Sequence, residues 1–443
     1  MAAKDKSIFE QVTLEANDQS QDVDIRAGVV SIDYYEDIFS PTITSQIVVF
    51  NTGDSITGKD GKLQSIYNGL PLRGGERLSL KIKQNSEENA GLDFSETYKD
   101  YMYVSSITNV LTESQREAFT LNLVSREAIT NETVRVPIRF ATSSTIDTSV
   151  KKILTDYLKT EKEMDIEVTS NTYGFIGNLR KPFNLLVWLA SKGVPEKSED
   201  GSAGFVFFQT QDGYHFKSID SLINQEPKAT YTYNEINKSQ IERNNDFNIL
   251  RYSTNKNQDL LEKLRLGAYA SYVATYDFYN GRFNAPEESK FILSKYKSKV
   301  KNLGKELELP SLSNDAQETL GDIPSRIMTM VVDRGTIETG VSREKNADPM
   351  RYQAQAIMKY NTLFTQELHM QVPLNTNLKA GDVIKCQFPK ISTGSEEYDD
   401  EQSGLYLIKE LCHHFDSEKS ETSMKLLRDT FGLYGVNNDN GGK

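Results

Sequence analysis

The segment of residues 75–82, GERLSLKI, has a counterpart at residues 381–388, GDVIKCQF. Both begin with glycine and an acidic residue and continue with apolar residues at alternating positions. In both copies a strand-like segment that begins with tyrosine follows, and then one that contains arginine and an acidic residue near its end. In the first copy these are residues 103–110 (YVSSITNV) and 119–127 (FTLNLVSRE). In the second copy they are residues 406–413 (YLIKELCH) and 423–430 (SMKLLRDT). Alternation of this kind is typical of antiparallel strands with one buried face. The shared order predicts two copies of one antiparallel β-domain.

A second interpretation stays open, because two unrelated antiparallel sheets would have a similar order of elements. Further strand-like segments precede the first copy at residues 29–35 and 43–50, which are rich in β-branched and aromatic residues. Residues 365–372 have the same character before the second copy. These segments extend both predicted sheets toward their N-terminal side.

The chain between the copies changes its period. Apolar residues recur at helical spacing and predict one amphipathic face: Val150, Ile153, Leu154, Tyr157 and Leu158. A second helix is predicted to begin at Pro182, since proline fits the first helical turn, and to stop near Gly193. Residues 205–208 and 214–219 flank an Asp-Gly turn and predict a hairpin. Trp188 lies among leucines of the second helix, which predicts a role in the core.

The predicted fold class is α+β and mostly β, with two antiparallel barrel or sandwich β-domains and inserted α+β domains. The polar, lysine-rich stretch 278–349 is predicted to be an insertion, and a helix is predicted from Met350 to Asn361. The expected division is a first β-domain, an inserted α+β domain, a discontinuous second β-domain, the insertion and a flexible tail: 1–127, 128–225, 226–277 with 350–435, 278–349 and 436–443.

The composition and charge of the chain argue against several classes of function. The formal net charge is −12, so phosphate is repelled and specific nucleic-acid binding is not expected. The same charge suits a passage through which DNA slides without sticking. No apolar run is long enough to span a bilayer, and residues 1–12 lack the apolar core of a secretory signal. Cys386 and Cys412 match no metal-ligand spacing, which favours synthesis in a reducing cytoplasm.

The motif search assigns no catalytic, cofactor-binding or metal-binding residue. Residues 53–59, GDSITGK, match the spacing of a phosphate-binding loop, but Asp60 replaces the required serine or threonine and no helical pattern follows. A turn between strands is therefore predicted there. His413 and His414 are adjacent in a predicted strand, so their side chains should point to opposite faces. His215 and His369 belong to no recognised metal or hydrolase motif.

Two charged clusters allow a second interpretation each. The acidic cluster of residues 396–401 lacks the ligand order of a calcium loop and is predicted to be a solvated loop. The lysine cluster in the insertion is predicted to be a solvated face, with an acidic partner as the alternative. Its members are Lys290, Lys295, Lys297, Lys299, Lys301 and Lys305.

Several segments together resemble the central baseplate hub proteins of contractile-tailed phages, in particular those of large marine myoviruses. The segments lie in the order of that family and cover most of the chain: 31–50, 181–190, 204–219, 222–227, 404–408 and 426–432. None of them is a catalytic motif, and the insertion has no counterpart that can be placed.

The resemblance implies two tail-tube-like domains and a homotrimeric ring with pseudo-sixfold symmetry. Such a ring joins the tail tube, or a tube-initiator protein, to the central spike protein and encloses the channel for DNA and the tape measure protein. Wedge or other baseplate proteins are further candidate partners. The expected location is the virion tail baseplate, and no enzymatic activity or cofactor is expected. The alternatives are a hub or spike-base protein of a related contractile injection system and a tail-associated peptidoglycan hydrolase.

Overall fold

A computed structural model gives the fold of the chain. It describes residues 5–52, 54–57, 61–83, 89–196, 203–233, 246–278, 281–284, 290–293, 302–305, 309–311, 318–331, 349–390 and 398–432.

Strands dominate the described residues. They are β1 Ile8–Glu15, β2 Asp22–Asp24, β3 Val29–Asp37, β4 Thr44–Thr52, β5 Ile56–Thr57, β6 Leu63–Gln64, β7 Arg77–Lys83, β8 Leu92–Phe94, β9 Met102–Glu113, β10 Arg116–Ser125, β11 Arg139–Phe140, β12 Glu163–Ile166, β13 Phe175–Ile176, β14 Phe205–Thr210, β15 Gly213–Ser218, β16 Thr230–Thr232, β17 Arg251–Asn257, β18 Ala270–Asp277, β19 Arg282–Asn284, β20 Lys290–Ile292, β21 Arg326–Val331, β22 Gln366–Pro373, β23 Val383–Gln387, β24 Gly404–Asp416 and β25 Ser420–Arg428. The helices are α1 Ile66–Gly69, α2 Arg126–Thr133, α3 Ile146–Lys152, α4 Pro182–Ala190, α5 Ile219–Ile223, α6 Leu260–Leu266 and α7 Pro349–Leu363, with a 3-10 turn at Arg26–Gly28 and a π turn at Ile153–Leu158.

The two predicted copies have the same strand order. The first runs β1-β7-β9-β10-β4-β3, and the second runs β16-β23-β24-β25-β22-β17. The copies differ in their outermost strand, because β1 is antiparallel to β7 whereas β16 is parallel to β23. The predicted fold class, mostly antiparallel β with inserted α+β units, is confirmed.

The copies also share irregular details. The Gly75 amide donates to the Val104 carbonyl at 2.7 Å, and the Gly381 amide donates to the Ile408 carbonyl at 2.8 Å. These two glycines have φ of 92° and 93°. One residue after each acceptor, the ladder to the next strand shifts by a β-bulge, at Ser105 in β9 and at Lys409 in β24. A bulge at the same position of both ladders supports the duplication over coincidence.

Alternation along the strands builds one core for each copy. Side chains such as Ile32, Ile47 and Leu121 of the first copy are fully buried on one face of the sheet. In the second copy, Met370, Ile384 and Leu426 occupy the corresponding face. The opposite face is largely polar around the contact of β3 with β24, whereas in the second copy its end near the middle unit is covered by a further apolar cluster that includes Val383, Leu407 and Leu427.

A middle unit, residues 126–223, follows β10. The helical period predicted from Val150 to Leu158 is confirmed, and α3 continues there as the π turn, which ends at Lys159 with φ of 52°. The second helix begins at Pro182 as predicted, and β14 and β15 form the predicted hairpin. Trp188 packs at the edge of this core beside Tyr173 and Phe175, in agreement with the prediction.

A side unit lies between β17 and β22. It comprises α6, the sheet of β18 with β19, β20 and β21, and the predicted helix α7. Its sheet packs one face on α6 and α7 through side chains that include Val273, Met328 and Met358. Part of this sheet, β19 to β21, falls within the stretch predicted as an insertion, where short polar segments gave no clear strand pattern. The domain boundaries expected from the sequence stay a prediction.

A two-residue turn joins β9 to β10, because these strands extend to Glu113 and from Arg116. One local expectation was wrong in detail. Gly193 lies beyond the helix end at Ala190, and its role is packing, since a Cβ there would lie 2.7 Å from Cδ2 of Phe205. The predicted tail, 436–443, lies outside the described residues.

The junction glycines give a test of the fold. We expect Gly381→Ala to destabilise the protein by about 2 kcal/mol, because a side chain disfavours positive φ and its Cβ would lie 3.0 Å from Cζ of Phe208. Gly61→Ala is the matched control, since Gly61 has φ of 77° and nothing within 4 Å of a built Cβ. It should cost only the backbone strain, about 1 kcal/mol. Chemical unfolding measures both, and equal losses would contradict this account of the junction.

Candidate assembly interface

The two copies are joined by a seam between β3 and β24. The inner part of β24 pairs with β23 of its own copy, from Gly404 to Leu407. The outer part pairs antiparallel with β3, from Glu410 opposite Asp37 to Asp416 opposite Ser31. The bulge at Lys409 separates the two parts, and a bulge bends a strand and re-aims it. One strand of the second copy therefore serves both copies and makes the sheet continuous.

Glu36 connects three units at this seam. Its side chain is 2% exposed, and it accepts hydrogen bonds from the Ala380 amide of the second copy at 2.9 Å and the Gln211 amide of the middle unit at 2.7 Å. The Tyr34 hydroxyl also donates to it at 2.7 Å. Burial raises the pKa of Glu36 to about 7, although the three donors oppose that shift.

Charged pairs cross the seam on the polar face of the sheet. His414 Nδ1 lies 2.6 Å from Asp33 Oδ1, and Lys409 Nζ lies 2.8 Å from Asp37 Oδ2. Burial lowers the pKa of His414, but the hydrogen bonds and charges of Asp33 and Asp416 outweigh it, so that the pKa is raised overall. Both pairs are partly shielded from solvent and each fixes the register of β3 against β24.

Two edges equivalent to this seam remain. β17 occupies the place in the second copy that β3 has in the first, and β9 occupies the place of β24. Within the described residues, β17 pairs only with β22, and β9 beyond Val104 pairs only with β10. Val110 and Leu111 of this outer part of β9 are exposed. Unpaired edges of this length are templates for pairing with another chain.

The histidines and cysteines noted in the sequence take structural positions. His413 and His414 point to opposite faces as predicted, and burial lowers the pKa of His413 to about 4. His215 Nε2 and the Thr210 hydroxyl oxygen share a hydrogen bond, 2.8 Å apart. His369 lies on the polar face beside Asn255. Both cysteines are free thiols, Cys386 in the core and Cys412 at the seam.

The loop and cluster predictions are only partly covered by the described residues. In the phosphate-loop-like stretch, Gly53 and 58–60 lie outside them, while β5 lies within the stretch and pairs antiparallel with β6, which follows it. Of the acidic cluster, 396–397 lie outside, and Glu401 pairs with Lys305 at 3.0 Å. Lys295, Lys297, Lys299 and Lys301 also lie outside, whereas Lys290 is exposed.

The described residues give little evidence of a metal site or of a membrane-spanning helix. No group there of three or more histidine, cysteine, aspartate or glutamate side chains is arranged to hold a metal ion. None of the described helices is both long and apolar enough to cross a membrane. The features that stand out are the seam and its two equivalent edges.

Comparison with known proteins agrees with this geometry. No family model matches the chain. Over 318 residues it is 21% identical to the probable baseplate hub protein gp334 of Vibrio phage KVP40, covering 70% of this chain and 71% of that protein.

The resemblance to phage baseplate hub proteins is confirmed.

Solved structures with the same fold include phage-type tail proteins. The tail protein from Neisseria meningitidis MC58 superposes with a TM-score of 0.50 at 10% identity, over 95% of this chain and 96% of that one. The 43 kDa tail protein of prophage MuSo2 from Shewanella oneidensis gives a TM-score of 0.50 at 9% identity, over 95% and 98%. Because the identity is so low, these similarities concern the fold of the chain alone.

The sequence did not reveal the seam. Edge strands and central strands have the same alternating pattern, so pairing partners are not visible in it. One signal was present: an acidic residue, Glu36, interrupts the buried face of a strand otherwise lined by Ile32 and Tyr34. A buried charge needs partners, which marks such a position as a junction.

Glu36 gives a pH-dependent test. Its pKa is raised from 4.5 to about 7 on folding, so the folded state holds the proton more tightly between these values. Wild-type stability should therefore fall as pH rises through this window, relative to Glu36→Gln, which cannot titrate, by on the order of 2 kcal/mol. Chemical unfolding from pH 5 to pH 8 measures the difference. Glu113→Gln, at an exposed position, is the control for the loss of a charge. If the stability of wild type relative to Glu36→Gln rises with pH instead, the assignment of a raised pKa to Glu36 is refuted.

Proposed function

We propose that the chain is a structural baseplate hub protein. Three copies form a ring of six similar sheet units that joins the tail tube to the central spike and encloses the channel for DNA and the tape measure protein. The observation that carries the proposal is the seam: two copies of one unit already meet edge to edge, and the next pair of equivalent edges has no partner strand among the described residues. Head-to-tail contacts of this kind form a closed ring when the rotation between successive units adds up to a full turn.

The duplication specifies the register of the open seam. Counting from the shared bulge, Thr108 of β9 corresponds to Cys412 of β24, because they pair with Thr120 and Ser423 at equivalent points of their ladders. Tyr35 of β3 corresponds to Lys256 of β17, since their partners across the sheet are Thr44 and Glu367. Tyr35 faces Cys412 within the chain. Lys256 should then face Thr108 of a neighbouring copy.

The uncovered face of the sheet suits the wall of a channel. The two sheet cores lie on the other face, so the polar part of this face, beside the seam and beyond the cluster of Val383, Leu407 and Leu427, would point into the ring. Its side chains near the seam are charged or polar, such as Asp33, Glu410 and Lys425, and several are neutralised in pairs. Together with the net charge of −12, such a wall offers DNA no continuous basic track. These features support passage rather than binding.

The two rims of the sheet support an adaptor between sixfold and threefold partners. At one rim both copies end in equivalent hairpins, β9 to β10 and β24 to β25. At the other rim the copies differ, since the middle unit follows β10 whereas the side unit lies between β17 and β22. A trimer would therefore have a sixfold-like hairpin rim and a strictly threefold opposite rim. We assign the hairpin rim to the tail tube and the opposite rim to the spike.

The same proposal places the protein in the virion tail baseplate and gives it no enzymatic role. Its support is the similarity to a baseplate hub protein and the absence, among the described residues, of a metal-capable cluster. A permanent ring should bury on the order of 2,000 Å² or more at each contact. The seam and the rim units together offer surfaces for a contact of that size.

Cysteine cross-linking tests the ring directly. In a Cys412→Ser background, Thr108→Cys with Lys256→Cys should give covalent dimers and trimers between chains, and no larger species, because opposite Cβ atoms on paired strands lie about 5 Å apart. Denaturing electrophoresis after mild oxidation or treatment with a short bis-maleimide measures the products.

The chain provides its own positive control. Tyr35→Cys with native Cys412 places two thiols at the equivalent positions of the seam inside one chain, so this variant should form an intramolecular bridge under the same conditions. Bridging in the control without any product between chains for the Thr108 and Lys256 pair would reject the ring.

A further inference from the structure

The side unit has an exposed apolar sheet face. Its members are Tyr276 (39% exposed), Phe278 (68%), Phe283 (64%), Ile327 (71%) and Val331 (54%). Pairing places them on one side of the sheet, because Tyr276 lies opposite both Phe283 of β19 and Val331 of β21. The rings of Tyr276 and Phe278 are 5.0 Å apart. An outer sheet face is normally polar, and a contiguous apolar patch marks an interaction site.

The other face of this sheet is already used within the chain. It packs on α6 and α7, and α7 in turn contacts the middle unit of the same chain. Tyr360 of α7 donates to the Phe205 carbonyl, and Lys359 pairs with Asp220. The exposed face is therefore turned away from its own middle unit, and the described residues of this chain leave it uncovered.

The proposed ring brings a second middle unit next to this face. Along the continuous sheet, β22 and β10 of one chain are five strand steps apart, which is about 24 Å. In the ring, β9 would lie beside β10, and β17 of the neighbour would lie beside β9. The side unit follows β17, so β10 would be only two strand steps, about 10 Å, from the strand that carries the neighbour's side unit. Middle and side units would then alternate around the threefold rim.

The middle unit presents apolar side chains near its attachment to β10. A turn held by the hydrogen bond from the Arg180 amide to the Gly177 carbonyl carries Leu179, which is 63% exposed, next to Ile176, which is 56% exposed. Asn178 and Leu179 have φ of 50° and 56°, unusual for side-chain-bearing residues. Such strain persists where surrounding structure or function requires it.

We infer that the apolar face of the side unit, centred on Tyr276, Phe283 and Ile327, packs against the middle unit of a neighbouring copy at the turn that carries Ile176 and Leu179. This contact rests on the proposed ring. It forms a second, side-chain-mediated interface at the threefold rim, in addition to the backbone pairing of β9 with β17.

The test compares trimer stability by light scattering over a dilution series. Phe283→Glu with Ile327→Glu should raise the protein concentration at which the trimer dissociates by about tenfold or more, because buried aromatic and aliphatic anchors dominate such contacts. Ile8→Glu with Leu63→Glu is the matched control, since these side chains are 49% and 63% exposed and lie outside the face. The control should dissociate like wild type.

Each outcome decides a different claim. A wild-type trimer with an unchanged double variant overturns the inference and leaves the ring intact. A wild type that stays monomeric at every concentration overturns the ring and the inference with it. As a second measurement, Ile327→Cys with Leu179→Cys in the Cys412→Ser background should cross-link between chains with a short bis-maleimide, and its failure where the Thr108 and Lys256 pair succeeds counts against this contact alone.

Discussion

Pairing of β3 with the outer part of β24 is the constraint on which the rest of the structure depends. It merges two copies of one sheet unit, and it buries Glu36 where the first copy, the middle unit and the second copy meet. The bulge at Lys409 lets one strand serve two partners, since its inner and outer parts face different strands. A chain that joins its own halves in this way has, by the same geometry, one open edge at each end.

In the proposed trimer, that constraint would let one chain match two symmetries. Equivalent strands and hairpins would give the sheet a sixfold-like repeat, because both copies keep the same order and the same bulge. The middle unit and the side unit lie at the end of the strands opposite these hairpins and at different points of the two copies, so that end of the ring would have threefold symmetry.

Much of this fold is visible in the sequence, and the reason is local. The strands around residues 75–82 and 381–388 alternate cleanly because one face of each is buried, and Pro182 and the Asp212-Gly213 turn mark their elements through backbone chemistry. The side-unit sheet was missed because β19 and β20 are only three residues long, too short to show an alternating pattern. Pairing of β3 with β24 spans more than 370 positions, and no local pattern encodes it. The buried carboxyl of Glu36, in a strand whose buried face is otherwise apolar or aromatic, is a signal of that junction.

Electron microscopy of the isolated protein, reconstructed without imposed symmetry, tests the central claim most directly. The account predicts a closed ring of three chains in which β9 of each chain lies beside β17 of the next, with six similar wall units and three projecting pairs of middle and side units. A particle with another number of chains, or one in which both edges face solvent, would contradict it.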